Sequence, residues 1–422
     1  MDLDQFFSRA ARGLRESAIR RAGDVRAPDL VSLAPGFPDP DLFPWDECRA
    51  ITQAVLTGAD PSVLQYGPTR GYRPLLDLLP EVLADRGIGA TPEETIITTG
   101  SQQALDLCGR VFADPGDCIL VELPTYTGAI TAFGNLGARL AGVRQDGEGI
   151  DLADLDEVWK RERDEGRRVP FVYVVPNFQN PTGVLMSLGR RRALLEWARS
   201  RRVLILEDDP YGVLYFEDAA TSAETRPIKA DDRDGLVIYA STFSKTVAPG
   251  LRVAWLTAPR PFIDKLEVAK QSADLCSGSL DQRIVHEMWT RGVLSARLPA
   301  LRARYQRKRT ALDVSLRAEL GDTGTWALPK GGFFLWVRFP EAVDTEALLG
   351  RAIERGVVYV PGRAFFVERR GLNHARLSFS WPSEERLALG VRRLAAAVRA
   401  ELARVAEQGA AGQGSEAVRE VE

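Results

Sequence analysis

Lys245 ends the segment Ser241-Thr-Phe-Ser-Lys245, and Arg252 ends Ala248-Pro-Gly-Leu-Arg252 just downstream. The preceding run, Leu236–Ala240, is continuously apolar and reads as a buried strand. That puts Lys245 at the C-terminal end of a strand, where open α/β sheets bind their ligands. An amine drawn out of water loses proton affinity and becomes a nucleophile toward carbonyl groups. The hydroxyls of Thr242 and Ser244 and the forked guanidinium of Arg252 suit a phosphate. Taken alone, Lys245 also reads as a surface lysine in a polar loop, because most lysines are exposed.

Four further segments follow strand-like runs. Leu204-Ile-Leu-Glu-Asp208-Asp-Pro-Tyr211 ends an apolar run in acids, and a carboxylate there can pair with a protonated pyridine nitrogen. Tyr211 can reach a ring hydroxyl; the plainer reading is an acid capping the next helix. Asn177-Phe-Gln-Asn180-Pro-Thr-Gly183 offers the amide of Asn180 as donor and acceptor, and is also a good turn sequence. Thr99-Gly-Ser101-Gln102 opens a helix whose free N–H groups can cradle a phosphate, while Ser101 can equally be an ordinary N-cap. Pro124-Thr-Tyr126 places an aromatic ring after another strand, where it could stack on a flat cofactor. Together the five segments supply a complete set of groups for one aromatic phosphate aldehyde.

Composition removes competing chemistries. The chain has 422 residues, two of them histidines, His286 and His374. It carries no paired-histidine zinc motif, no Gly-x-Ser-x-Gly elbow, no Walker loop and no Gly-x-Gly-x-x-Gly fingerprint. Any acid–base work therefore falls to something other than histidine. The net charge of −3, from 55 basic and 58 acidic side chains, leaves no electrostatic footprint for nucleic acid. No apolar stretch approaches the ~20 residues of a membrane span, and Met1–Arg20 does not read as a signal peptide. Cys48, Cys108, Cys118 and Cys276 lack metal-site or disulfide spacing, which points to buried thiols in a cytoplasmic protein.

The elements that must position these groups follow an α/β pattern. An arm is expected over residues 1–45, helical from about Asp4 to Arg21 and then rich in Pro and Gly. A large lobe over 46–290 holds strands at Thr95–Thr99, Cys118–Glu122, Arg139–Val143, Phe171–Val175, Val203–Glu207, Leu236–Ala240 and Val253–Thr257. Near-continuous Val, Ile and Leu fit a mostly parallel sheet covered on both faces by helices such as Gln102–Phe112 and Gly189–Arg199. A smaller α+β lobe over 291–406 begins with a long helix, Ser295–Leu320. It adds strands at Gly332–Arg338, Val357–Val360 and Ala375–Ser380, then a helix from Ser383 to about Val405. Residues 407–422, rich in Gly, Ala, Gln and Glu, read as a disordered tail.

With those motifs in place, the chain resembles the fold-type I pyridoxal-phosphate (PLP) enzymes, and within them the class I/II aminotransferases, from about Ser17 to Leu394. It is most similar to the branch of 2-aminoadipate and kynurenine aminotransferases, which also forms the effector half of MocR-type regulators. The branch markers are Pro35-Gly-Phe-Pro-Asp-Pro-Asp-Leu-Phe-Pro44, Leu64-Gln-Tyr-Gly-Pro-Thr-Arg-Gly-Tyr72, Gly100-Ser-Gln-Gln-Ala-Leu-Asp106, Glu207-Asp-Asp-Pro-Tyr211, Pro329-Lys-Gly-Gly-Phe-Phe-Leu-Trp336 and Arg376-Leu-Ser-Phe-Ser380. The resemblance implies that Lys245 holds PLP as a Schiff base and then carries the proton between substrate Cα and cofactor C4′. It implies Asp208 on the pyridine nitrogen, Asn180 and Tyr211 on the ring hydroxyl, and Tyr126 stacked on the ring. Ser101, Gln102, Ser244 and Arg252 would hold the phosphate, with Tyr66 reaching it across a homodimer interface. Arg376, assisted by Asn180, would fork onto the substrate α-carboxylate. Gly36 would let the arm pass close by, and Arg20 matches an arm position that can meet acidic side chains or be a plain surface arginine. Ala254, where glycine is common, and Cys276, where histidine is frequent, depart from the branch.

The expected reaction is ping-pong transamination between an L-amino acid and a 2-oxo acid, with glutamate and 2-oxoglutarate as the default pair. β-Elimination, racemisation and oxidative deamination share the same early chemistry and stay open at this level. A PLP-sensing regulator of the MocR type is disfavoured, because no basic helix-turn-helix precedes the fold.

Overall fold

The computed structural model describes residues 3–14, 22–23 and 25–419. Its strands, in chain order, are β1 (Val31–Ser32), β2 (Thr95–Thr99), β3 (Cys118–Leu123), β4 (Arg139–Asp146), β5 (Gly149–Ile150), β6 (Phe171–Val174), β7 (Leu204–Asp208), β8 (Val237–Thr242), β9 (Val253–Thr257), β10 (Phe334–Arg338), β11 (Val357–Val358), β12 (Val360–Pro361) and β13 (His374–Ser378). Eight of them form one sheet in the order β2-β9-β8-β7-β6-β3-β4-β5. Neighbours from β8 to β4 are parallel, whereas β9 runs antiparallel to both β8 and β2, and β5 antiparallel to β4. The C-terminal ends of β2, β3, β6, β7 and β8 therefore share one edge. The reversal of β9 brings its N-terminal end to that same edge.

The apolar runs become strands because both of their faces are covered. In β3, Ile119 and Val121 pack into one core with Ala104, Leu105 and Cys108 of the helix Ser101–Phe112. Cys118 and Leu120 point the other way, into a second core with Leu194, Leu195 and Ala198 of the helix Leu188–Arg201. The period-2 alternation of a strand divides one continuous apolar run between two helical layers.

A smaller unit holds the antiparallel sheet β10-β13-β12, flanked by the helices Val293–Leu320, Thr345–Glu354 and Glu384–Arg419. The arm is stitched onto it. β1 pairs in parallel with β11, and the Ser378 N–H donates to Leu33 O at 2.8 Å. Farther along, the buried Asp39 carboxylate takes Lys308 at 2.6 Å and Arg304 at 3.2 Å. Between these anchors the arm crosses the edge of the large sheet at Pro35 and Gly36.

The strand expectations hold to within a few residues at each end, except that the strand expected over Val357–Val360 divides into β11, paired with β1, and β12, paired with β13 in another sheet. The helix expected from Asp4 to Arg21 is interrupted: a 3₁₀ turn covers Leu3–Phe6, and the following helix, Arg9–Gly13, stops at an extended Leu14. One helix runs from Glu384 to Arg419, and the last three residues of the expected tail lie outside the described residues.

Candidate active site

The shared edge opens into a cavity of about 910 Å³. Ser101, Gln102, Tyr126, Asn180, Asp208, Tyr211, Ser244, Lys245, Arg252, Arg376 and Gly36 all line it, which brings together eleven residues singled out from sequence. Tyr66 is not among them; it is 79% exposed on the surface. Arg20 lies outside the described residues.

Each side chain arrives by a local reason. Gly100 precedes the helix Ser101–Phe112 with φ of +80°, and a Cβ there would lie 1.9 Å from the Arg252 guanidinium. Only glycine lets Arg252 lie across that helix N-terminus, where the guanidinium donates to Thr99 O at 3.3 Å. Arg252 itself takes φ of +54° on entering β9, a left-handed conformation uncommon outside glycine. On the adjoining turn, the Ser244 N–H donates to Thr242 Oγ1 at 3.0 Å. Gln102 Nε2 donates to Gly128 O at 2.9 Å, and the Tyr126 hydroxyl lies 3.5 Å from Gln102 Oε1.

Lys245 Nζ donates to Gly36 O at 3.2 Å. Enclosure by protein, with the Arg252 and Arg376 cations nearby, pulls its amine down to about 8, against the opposing pull of Asp208. Burial pushes Asp208 up to about 7. The Tyr173 hydroxyl, donating to Asp208 Oδ2 at 2.9 Å, draws it back, and the neighbouring Asp209 charge pushes it further up. Arg376 is 1% exposed and donates to Asn180 Oδ1 at 2.9 Å and to Ala34 O. Its guanidinium sits 4.2 Å from the Phe334 ring centroid, and burial brings it down to about 10. Two oppositely charged groups with perturbed proton affinity, Lys245 and Asp208, in one cleft make this a candidate reactive site.

Three buried polar atoms on this cavity wall lack a hydrogen-bond partner: Asp208 Oδ1, Ser101 Oγ and Arg376 Nε. Buried polar groups are seldom left unpaired, so an acceptor, a hydroxyl and a guanidinium N–H on residues that line one cavity suit a polar ligand.

Comparison with known proteins identifies the family. The sequence profile of the aminotransferase class I and II family matches residues 29–394. The chain belongs to that family. It is 41% identical to aromatic-amino-acid aminotransferase 1 of Thermococcus litoralis over 95% of this chain and 96% of that one. It superposes on Pyrococcus horikoshii kynurenine aminotransferase, solved with PMP, at a TM-score of 0.89 with 39% identity, covering 95% and 98% of the two chains. It also superposes on the alpha-aminoadipate aminotransferase of Thermus thermophilus, complexed with N-(5'-phosphopyridoxyl)-L-leucine, at 0.87 with 40% identity over 96% and 100%.

The protein is therefore a PLP-dependent aminotransferase of fold-type I. The donor set suits PLP: an unpaired carboxylate oxygen for a pyridinium N–H, a helix N-terminus with hydroxyls and an arginine for a phosphate, and an amine for an aldehyde.

Several supporting residues of the aminotransferase were not singled out from sequence. Asp209 is fully hydrogen-bonded away from the cavity, to Asn177 Nδ2 at 2.9 Å, the Tyr239 hydroxyl at 3.0 Å and Arg86 at 3.1 Å. Glu207 accepts from the Ile228 and Lys229 N–H groups, both at 2.8 Å. Of three consecutive acids, only Asp208 lines the cavity. Glu122 at the end of β3 is buried and pushed up to about 8, accepting from the Val175 N–H at 3.0 Å. A tyrosine or an acid inside a continuous apolar strand is the available sequence signal, because such a group needs a buried partner.

Proposed function

We propose that this aminotransferase works by a ping-pong cycle in which Lys245 is both the attachment point of PLP and the proton carrier, with glutamate and 2-oxoglutarate as one substrate pair. The observation that carries the reading is the meeting of Lys245, Asp208 and Arg376 in one cavity at the sheet edge. Bound there, PLP would act as an electron sink for the substrate Cα.

The chain's own groups divide the remaining work. Lys245 Nζ, with its affinity for protons lowered to near neutrality, takes the proton from substrate Cα and returns it at the next stage. Asp208 Oδ1 would accept from the ring nitrogen. Tyr211 and Asn180 would serve the ring hydroxyl, with Tyr126 beside the ring. Ser101, Gln102, Ser244 and Arg252 would take the phosphate. Arg376 would fork onto the substrate α-carboxylate with Asn180 beside it, and Gly36 would let the arm pass close to the substrate. Lysine in this role explains how an acid–base enzyme manages with two histidines.

Tyr66 enters the reading only through a second copy of the chain. Its 79% exposure outside the cavity suits a ring that completes a partner's phosphate site in a homodimer. Arg20 is assigned to acidic substrate side chains on sequence grounds alone. The arm, large lobe and small lobe are read as the functional units. Four free cysteines suit a reducing compartment such as the cytoplasm, and no helix among the described residues is long and apolar enough to cross a membrane.

The test is the visible spectrum of the purified protein, titrated with single amino acids in the absence of an oxo acid. A Schiff-base band that is absent in Lys245→Ala, bleached by glutamate and restored by 2-oxoglutarate is the expected result. A band that persists while oxo acid and ammonia accumulate would mean elimination or oxidation instead of transfer.

A further inference from the structure

We infer that Tyr173 is a positioning residue for the cofactor's ring nitrogen: it pins one oxygen of Asp208 and leaves the other for the cofactor. The inference rests on the assignment of Asp208 to that nitrogen and adds a residue behind it.

The two oxygens of Asp208 have unlike surroundings. Oδ2 accepts from the Tyr173 hydroxyl at 2.9 Å, and Oδ1 is buried with no partner, on a residue that lines the cavity. A carboxylate pinned at one oxygen has lost its freedom to rotate, so the direction of the other is set before any ligand arrives. The register makes the contact. Tyr173 of β6 pairs with Leu206 of β7, and Asp208 lies two residues beyond Leu206 on the same face. A diagonal neighbour on an adjacent strand lies beyond the reach of short side chains but within that of a tyrosine.

Tyr173 is itself held firmly. It is fully buried, and its ring meets Phe133 edge-on at 5.7 Å. Phe133 lies on the helix Thr127–Gly134, which directly follows Tyr126. Burial and the nearby Asp208 charge raise the Tyr173 phenol well above its ordinary range, so it remains a donor at every working pH.

The hydrogen bond also bears on charge. Burial favours the neutral acid at Asp208, as does the Asp209 carboxylate next along the chain; Tyr173 and Lys245 favour the carboxylate. Cys108 and Tyr211 also lie within electrostatic reach of Asp208, and both stay neutral, pushed up by burial. Tyr173 is thus the neutral donor that favours the carboxylate form of Asp208 while leaving one oxygen for the cofactor. Hydrogen bonds to a buried charge are worth more than neutral ones, and loss of the hydroxyl leaves Oδ2 unsatisfied.

The test measures dissociation constants of two ligands for the apoenzyme: PLP, and its analogue with C–H in place of the ring nitrogen. Tyr173→Phe preserves the ring and its packing. It is expected to weaken PLP by roughly ten- to a hundredfold, and to leave the analogue within about threefold, since the analogue cannot use Asp208. Equal losses for both ligands, or no loss for either, overturn the inference, because a merely structural hydroxyl would not distinguish them. Asp208→Asn is measured in parallel. If it too fails to separate the ligands, the Asp208 assignment itself is wrong; if it separates them and Tyr173→Phe does not, only the inference about Tyr173 falls.

Discussion

Replacing Gly36 by alanine adds one methyl group at the point where the arm crosses the cavity. A Cβ at this position would lie 2.4 Å from Phe334 Cζ and 2.9 Å from Cε1. Carbon atoms pack at about 3.5–4.0 Å, so ring or arm must yield by about 1 Å. The ring has little room to yield. Phe334 is 2% exposed, meets the Tyr211 ring edge-on at 6.0 Å and underlies the Arg376 guanidinium at 4.2 Å. The arm is equally constrained, because Ala34 O accepts from Arg376 and Asp39 is held by Lys308 and Arg304. The displacement therefore passes to Arg376. A shift of this size in a positioning group costs on the order of tenfold to a hundredfold in kcat/KM. With Arg376 on the substrate carboxylate as proposed, the loss should fall mainly on KM, because such a clamp acts equally in ground and transition states. Overpacking should also lower stability by about 1–3 kcal/mol. Steady-state kinetics of Gly36→Ala, with the Schiff-base spectrum as control for an intact cofactor site, test this. A kcat/KM within twofold of wild type would refute the reasoning, as would a loss confined to cofactor binding.

The remaining expectations come from buried charge. With Lys245 as the proposed attachment point, capture of PLP by the apoenzyme needs its neutral amine, whose proton affinity is pulled down to about 8; the stopped-flow rate should rise with pH through about 8 and level off above it. Glu122 binds its proton up to about 8 when folded but only to about 4.5 when unfolded. The folded state thus holds the extra proton between those values, and stability from this group falls as pH rises through the window. Glu122→Gln should be roughly 2–4 kcal/mol more stable than wild type at pH 8 and no more stable at pH 4, by denaturant titration. Arg86 reaches Asp209 at 3.1 Å, with that carboxylate 1% exposed. Arg86→Met should strand the buried charge at a cost of about 3–5 kcal/mol, read as a lowered Tm.

The amino-acid sequence by itself determined the strands of the large sheet and the loops that carry the chemistry. Continuous Val, Ile and Leu can be satisfied only by burial on both faces, and polar clusters such as Thr242–Lys245 and Asp208–Tyr211 can follow such runs only at the sheet edge. It also singled out Lys245, though only the five segments taken together, and not the lysine with its hydroxyls and arginine alone, point to a phosphate aldehyde. Tertiary structure decided the rest, because it depends on which strands are neighbours. The reversal of β9 brings the N-terminal end of that strand, next to Arg252, to the edge where the parallel strands end. The pairing of β6 with β7 gives Asp208 its tyrosine, while Glu207 and Asp209 find partners elsewhere. Gly36 and Phe334 meet across nearly three hundred residues of chain. Local preference acts over a few residues, whereas these contacts exist only once the sheet order and the return of the arm bring distant segments together.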